Sequence, residues 1–413
     1  MQLRLDNHGY SPALVQHAVT AAARLPSFQD AAFAVDPDEK VITGRHIRNL
    51  VQEVGSDLVK ARDQAGEDQV HRRLKASVPI TPAVVAVEVD GGRLRTRESP
   101  SDPGVHQAMN QEDKIACLVT LKSQVFDEDP QPQLPDSYKN CRRVQRLVQQ
   151  MQGQAAEGGK ADEVEPEALP AVDLPVPAES DDLNRWSPVR LVRTCVASMA
   201  SSHEFGKMMA GEAGMRGFYE APRRAFVADG LAYNWSIQEA FFPEFEPVVD
   251  FFHVVCYLYK AACALGGEEV GSGWGQYLLW AESCWQGHAS SVLSEMEWHQ
   301  KRVGEPPGKK EDLPGTDVRR VLAEGISYLR NNAVRMNYPR YRKQGMPTTS
   351  SLAESLVGEF NSRVKSKQKH WNRCEDGTGA EAILQIRAAF LSQDCRLERY
   401  FGTRPGCHFR RRP

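Results

Sequence analysis

The sequence lacks the signatures of several large protein classes. None of its nine cysteines forms a C-x-x-C pair, and nine in 413 residues are too few for a disulfide scaffold. A zinc ribbon, a thioredoxin-like centre and a cystine-rich secreted domain are therefore disfavoured. No apolar run approaches the roughly 20 residues that cross a bilayer, and the opening MQLRLDNHGY has no apolar signal-peptide core. The expectation is a cytoplasmic chain with no membrane partner. There is no G-x-S-x-G elbow for a serine nucleophile and no G-x-x-x-x-G-K-[ST] loop for nucleotide phosphates.

What is present is an ordinary soluble composition, 41% hydrophobic and 25% charged. The formal net charge of −3 conceals an uneven distribution. From Gln154 to Asn184 nine acidic residues face one lysine, a net of −8, among many prolines and alanines, which reads as a solvated linker. From Asn361 to the end, twelve Lys and Arg outnumber five Asp and Glu, a net of +7 that finishes in Arg410, Arg411 and Arg412. This is either a polyanion-binding surface or a solvated helix with a frayed tail.

Periodicity divides the chain. Residues 1–78 read as helical. TPAVVAVEVDGG is a short β-branched run stopped at Asp90 by a turn dipeptide, and with RLRTRE and KIACLVTLK it suggests three strands in meander order. Residues 126–185 are interrupted by prolines around a short helix in RRVQRLVQQMQ. Helical spacing returns in SPVRLVRTCVASMASS. RRAFVADG is a further strand stopped at Asp229, and PVVD, ending at Asp250, leads into the helix FFHVVCYLYKAACAL. In residues 266–337, Trp274, Leu278, Ala281, Trp285, Ala289, Val292 and Met296 recur at steps of three and four, which reads as a stripe facing the core. The segment after Pro347 is a helix with Leu352, Leu356, Phe360 and Val364 on its apolar face and Glu354 off it.

Asp90, Asp229 and Glu354 are the candidate catalytic acids and ligands for two Mg2+ or Mn2+ ions. Both aspartates close a short apolar strand just before glycine, where a side chain reaches the crevice above a sheet. Hard divalent ions require oxygen donors, and a pair of them can stabilise the attacking and leaving oxygens of a phosphoryl transfer. Each acid also has a structural explanation: Asp-Gly is a turn signal, and Ser351-Leu-Ala-Glu354 matches a helix capping box. Glu88 shares the Asp90 strand face as a competing ligand. Asp250 and His253 form a D-x-x-H step at the end of a strand, either an auxiliary pair or a satisfied core histidine. His106 is a weaker candidate.

With these residues assembled, the sequence resembles the DDE transposases of bacterial insertion sequences, specifically the ISKra-type family, over residues 10–402. The resemblance is carried by VVAVEVDGGRLRTRE around Asp90, by FVADGLAYNWSIQEAFFPEFEPVVDFFHVVCYLYKAA from Asp229 through His253, and by PTTSSLAESLVGEFNSRVKSKQKHW around Glu354. It implies an α/β fold: an RNase H-like core, a mixed sheet flanked by helices, with an N-terminal helical region and an α-helical insertion before the catalytic Glu. The implied division is 1–78, a helical region and candidate DNA-binding element; 79–125 and 186–265, the two parts of the core; 126–185, a linker; 266–340, the insertion; and 341–413, the Glu354 helix and basic end. Asp90, Asp229 and Glu354 match the three catalytic acids, with Asp250 and His253 as the auxiliary step. Arg363, Lys365, Lys367 and Lys369, just after Glu354, are expected to hold DNA phosphates, and Trp371 either packs, the favoured reading, or stacks on a base. The implied partners are double-stranded transposon ends and target DNA at the bacterial nucleoid, engaged by a homodimer or higher oligomer. Relatives commonly begin with a Cys-rich, zinc-binding segment that this sequence does not contain. The alternative expectation is therefore an N-terminally truncated, catalytically silent DNA-binding remnant that occupies DNA or inhibits an intact transposase.

Overall fold

The computed structural model describes residues 9–38, 40–98, 109–156, 186–267, 273–308, 313–365, 371–373 and 379–403. His106, Lys367, Lys369, the acidic stretch 157–185 and Arg410 to Arg412 lie outside them, as does the side chain of Glu354.

A mixed sheet forms the centre. Its strands are β1 (Val84–Glu98), β2 (Met109–Lys122), β3 (Val189–Ser198), β4 (Arg223–Ala228) and β5 (Glu246–Val249), in the order β3-β2-β1-β4-β5. A short β6 (Trp371–Arg373) joins the far end of β1. The first three strands form an antiparallel meander, and β1, β4 and β5 run parallel. Val85, Ala86, Val87 and Val89 of β1 are fully buried, as are Phe226, Val227 and Ala228 of β4. Such runs, apolar on both faces, are characteristic of strands covered by helices on either side.

Two expectations are corrected here. The strand does not stop at Asp90. It continues through Gly91 and Gly92, neither of which has positive φ, and Asp90 pairs with Ile115 and Gly92 with Asp113. The long ladder to β2 satisfies backbone groups that a tight turn would leave unpaired, so RLRTRE is the outer half of β1 and not a strand of its own. The second correction is VRLVRTCVAS, which is β3 and not a helix. Its inner half is buried on both faces, so its apolar spacing cannot distinguish the two, and the β-branched Val189, Val192, Thr194 and Val196 favour the strand. The helix of this region comes later, at Ser202–Met215.

Around the sheet lie α1 (Pro12–Arg24), α2 (Phe28–Val35), α3 (Gly44–Val70), α4 (Cys141–Ala156), α5 (Ser202–Met215), α6 (Ala232–Phe241) and α7 (Phe251–Gly266). They are followed by α8 (Trp274–Trp285), α9 (Ala289–Val303), α10 (Val318–Asn332), α11 (Tyr338–Lys343), α12 (Ser351–Val364), α13 (Ala380–Leu391) and α14 (Arg396–Thr403). Side chains of Ser11, Ser27 and Thr43 cap the first three, each accepting from an amide in the first turn. The expected stripe is confirmed: Ala281, Trp285, Ala289, Val292 and Met296 are buried, with Trp274 and Leu278 packed partly against them. The exception among these aromatics is Trp298, 52% exposed with the Arg302 guanidinium 4.7 Å from its ring centroid.

The N-terminal helices belong to the same hydrophobic core as the sheet. Helix α3 meets α5 and α13 at backbone contact: a Cβ on Gly55 would lie 2.6 Å from the Ala382 carbonyl oxygen, and one on Gly211 would lie 2.6 Å from the Gly66 nitrogen. Arg62 seals the contact by donating to Glu381 at 2.6 Å and to the Ala197 carbonyl at 3.3 Å. Gly55→Ala is therefore expected to lower stability by about 1–3 kcal/mol through overpacking, despite a helix-propensity gain of roughly 1 kcal/mol. Gly358→Ala on α12, where a new Cβ meets nothing within 4 Å, should show only the gain. Urea unfolding of the two variants checks this pair of outcomes.

Candidate active site

Strand register places three aspartates at one level of the sheet. Val89 of β1 pairs with Ala228 of β4, and Ala228 pairs with Val249 of β5. The next residues along these adjacent parallel strands are Asp90, Asp229 and Asp250, on strands about 4.8 Å apart. This is the carboxyl end of the parallel half of the sheet, where ligand crevices form. Their mutual influence is evident at Asp90. Burial pushes its carboxyl up to about 6, His253 and the Gly91 amide pull it down, and the charges of Asp229 and Asp250 push it further up. Asp90 Oδ1 accepts from that Gly91 amide at 2.7 Å.

The three differ in how they are held. Asp229 does serve a turn: Oδ1 accepts from the Leu231 amide and from Asn234 Nδ2, both at 2.9 Å, and Gly230 adopts φ +94°. Its other oxygen has no hydrogen-bond partner among the described residues, so the turn and ligand roles are compatible. Asp250 is wholly buried and caps α7, accepting from the Phe252 amide at 2.9 Å with one oxygen and from Ser350 Oγ at 2.6 Å with the other. His253 Nε2 stands 3.9 Å from that second oxygen. Asp250 is thus a structural clamp, joining the start of α7 to the segment entering α12, and it holds His253 beside Asp90.

Glu354 lies in the first turns of α12, and the start of that helix is anchored to β1. Ser350 is the N-cap and Ser351 the first helical residue, so a capping box with Ser351 as the cap is not formed. The orphan amide at the third helical position, Ala353, instead donates to Glu88 Oε2 at 3.0 Å. Glu88, buried on β1, is two residues before Asp90 on the same strand face. A carboxylate at the positive end of the helix is favourable, and it draws the first turn of α12 down toward the Asp90 face.

Two functional contacts have no visible signal in the sequence. From α10, Tyr328 donates its hydroxyl to the Asp229 carbonyl at 2.9 Å, and Asn332 Nδ2 reaches the Gly230 carbonyl at 3.4 Å. Trp235 Nε1 fixes Asn332 by donating to its Oδ1 at 2.9 Å. A Cβ at residue 230 would lie 2.8 Å from the Tyr328 ring, so glycine is required there by space as well as by φ. Helix α10 therefore holds the turn that presents Asp229.

The expected DNA contacts fare differently. Arg363 is corrected: it is 2% exposed, donates Nε to the Ala22 carbonyl at 2.6 Å, and lies over the Phe28 and Trp371 rings. Beside it, Arg387 donates to the Ala23 carbonyl at 2.6 Å. Two of the basic residues thus satisfy the orphan carbonyls at the end of α1 instead of facing phosphate. Burial, with Arg387 nearby, lowers Arg363 to about 10. Trp371 donates Nε1 to the Val364 carbonyl at 2.7 Å and packs edge-on against Phe28, a packing role. Lys365 is half-buried at the end of α12.

Among the described residues no group of three His, Cys, Asp or Glu converges closely enough to hold a metal ion. Asp90 and Asp229, which follow paired residues on adjacent strands, are oxygen donors of the kind hard divalent ions select, and the first turns of α12 bring the backbone of Glu354 to the same face. The donor chemistry fits Mg2+ or Mn2+. No protein-family model and no curated protein matches the chain. No helix among the described residues is long and apolar enough to cross a membrane.

The raised Asp90 carboxyl has a consequence for stability. A group with a native pKa of about 6 and an unfolded value of 3.8 binds more protons folded than unfolded between those values. The stability that its proton provides is full below about pH 4, falls as pH rises through about 6, and is absent above. Asp90→Asn should therefore stabilise the cation-free protein near neutral pH by on the order of 3 kcal/mol and leave it unchanged near pH 4. Thermal unfolding of both proteins between these pH values reads the difference.

Proposed function

We propose that this chain is a DDE-type DNA transposase with an RNase H-like core, cleaving DNA at insertion-sequence ends and joining the freed ends to target DNA. The observation that carries the reading is the shared level of Asp90, Asp229 and Asp250 at the tips of three adjacent parallel strands, with the helix of Glu354 anchored to the same strand face through Glu88. A meander of three strands followed by two parallel ones, each carrying an acid at its tip, also supports the RNase H-like reading.

In this reading Asp90, Asp229 and Glu354 hold two divalent ions, which when bound supply Lewis acidity at the phosphoryl oxygens and lower the pKa of water. Asp229 is presented by a turn that α6 and α10 fix on both sides, so it meets its ligand without reorganising. Asp250 is fully engaged in holding α7 and α12 together and acts as a positioning residue. His253, at the edge of the cluster, offers an imidazole to a phosphate oxygen or a proton in transit. Water attacks the phosphodiester at an element end, the 3′ oxygen leaves, and the resulting 3′ hydroxyl attacks target DNA with no covalent enzyme intermediate. Lys365, Lys367 and Lys369 follow the Glu354 helix directly and supply salt-dependent phosphate contacts. Two or more subunits bring two DNA ends together.

The test uses labelled element-end DNA, a plasmid target and Mg2+. Asp229→Asn and Glu354→Gln should each lose cleavage and strand transfer by at least about a thousand-fold, of the size seen when a principal electrostatic group is removed, while retaining DNA binding and the wild-type melting temperature. Undiminished Mg2+-dependent cutting by Asp229→Asn would refute the assignment. Cutting without joining by the unmodified chain identifies a structure-selective nuclease on the same core, and binding with neither identifies a silent remnant.

A further inference from the structure

One buried acid plays no part in the account above. Asp113, near the start of β2, is fully buried, and among the described residues neither of its carboxylate oxygens has a hydrogen-bond partner. A carboxylate left in that state costs several kcal/mol unless something offsets its charge. The β1–β2 register fixes its place: Asp113 stands opposite Gly92, and Ile115 stands opposite Asp90. Asp113 and Asp90 are therefore diagonal neighbours on one face of the sheet, with Cα atoms about 7–8 Å apart. The carboxylate leans over the glycine, since a Cβ at residue 92 would meet Asp113 Oδ1 at 2.8 Å and Oδ2 at 3.2 Å. The same face carries Glu88, which binds the first turn of α12, so the Asp113 oxygens lie in the layer that holds Asp90.

The surroundings do not neutralise it. Burial acts most strongly on the Asp113 carboxyl and pushes it up, its own backbone amide and Lys365 at the end of α12 pull it down, and Asp90 and Glu112 add charge of its own sign. Two unpartnered anionic oxygens beside another acid form a site for a hard cation, which takes six or more oxygen ligands.

We propose that Asp113 is a fourth carboxylate ligand of the acid cluster, its two open oxygens completing the coordination of the divalent cation on the Asp90 side. The assignment rests on the divalent-ion reading of that cluster. It also accounts for Gly92, where any side chain would occupy the place taken by the carboxylate.

The experiment is a Mn2+ titration of the full chain, followed by calorimetry and by the paramagnetic resonance of free Mn2+, with melting temperatures recorded in parallel. Asp113→Asn should weaken Mn2+ binding about ten-fold or more and lose most of the Mn2+-induced rise in melting temperature. Without cation it should melt at or above the wild-type temperature, because the unpaired buried charge is gone. Gly92→Ala displaces the carboxylate without removing it and should weaken Mn2+ similarly. Should Asp113→Asn fail to fold, unchanged affinity in Gly92→Ala alone overturns the assignment. If Asp229→Asn loses Mn2+ while Asp113→Asn binds it as wild type does, Asp113 is not a ligand and the acid cluster stands. If the unmodified chain binds no Mn2+, the divalent-ion reading falls and the Asp113 assignment falls with it.

Discussion

The parallel register of β1, β4 and β5 is the constraint on which everything else depends. Backbone hydrogen bonds align Val89, Ala228 and Val249, and the chain then has no choice but to present the residue after each at the same height. Bringing like charges together opposes folding. The opposition is met by apolar burial along the same strands, where Val85, Val87, Phe226 and Val227 are wholly removed from water. Neighbouring elements then divide the acids by task. Asp250 is absorbed by the α7 and α12 connections, Asp229 is half engaged by its turn, and Asp90 is left with one short contact to its own chain neighbour.

Much of this arrangement was legible in the sequence because each aspartate closes a short apolar run. A run of that kind has few alternatives to a covered strand, and the residue ending it has a defined place. The continuation of β1 beyond Asp90 was not legible, because Asp-Gly-Gly favours a turn locally and only the ladder to β2 overrides it. The identity of β3 was hidden for a related reason: burial on both faces erases the alternation that marks a strand. The capping of α12 by Glu88 joins residues 265 positions apart, and the Tyr328 contact to Asp229 joins residues 99 apart. No local pattern encodes either.

Charge in the C-terminal region illustrates the limit of counting. Its excess of arginine suggests a surface for polyanions, yet Arg363 and Arg387 point inward to the last carbonyls of α1, and Arg396 is held by Glu212 and Asp394. A guanidinium can be internal when its planar donors meet fixed acceptors and aromatic faces. Arg363 and Arg387 attach the first helix to α12 and α13, and Arg396 ties the start of α14 to α5.

The helix crossings at Gly55 and Gly211 carry an evolutionary consequence. Where two backbones touch, no substitution across the seam makes room: a side chain at 55 meets the Ala382 backbone, and one at 211 meets the backbone of Ala65 and Gly66. Residues 55 and 211 therefore stay glycine unless the helices themselves move apart. The amino-terminal helices accordingly cannot be exchanged between distant homologues as an independent cassette. A chimera joined after residue 70 would inherit mismatched seams on both sides of α3.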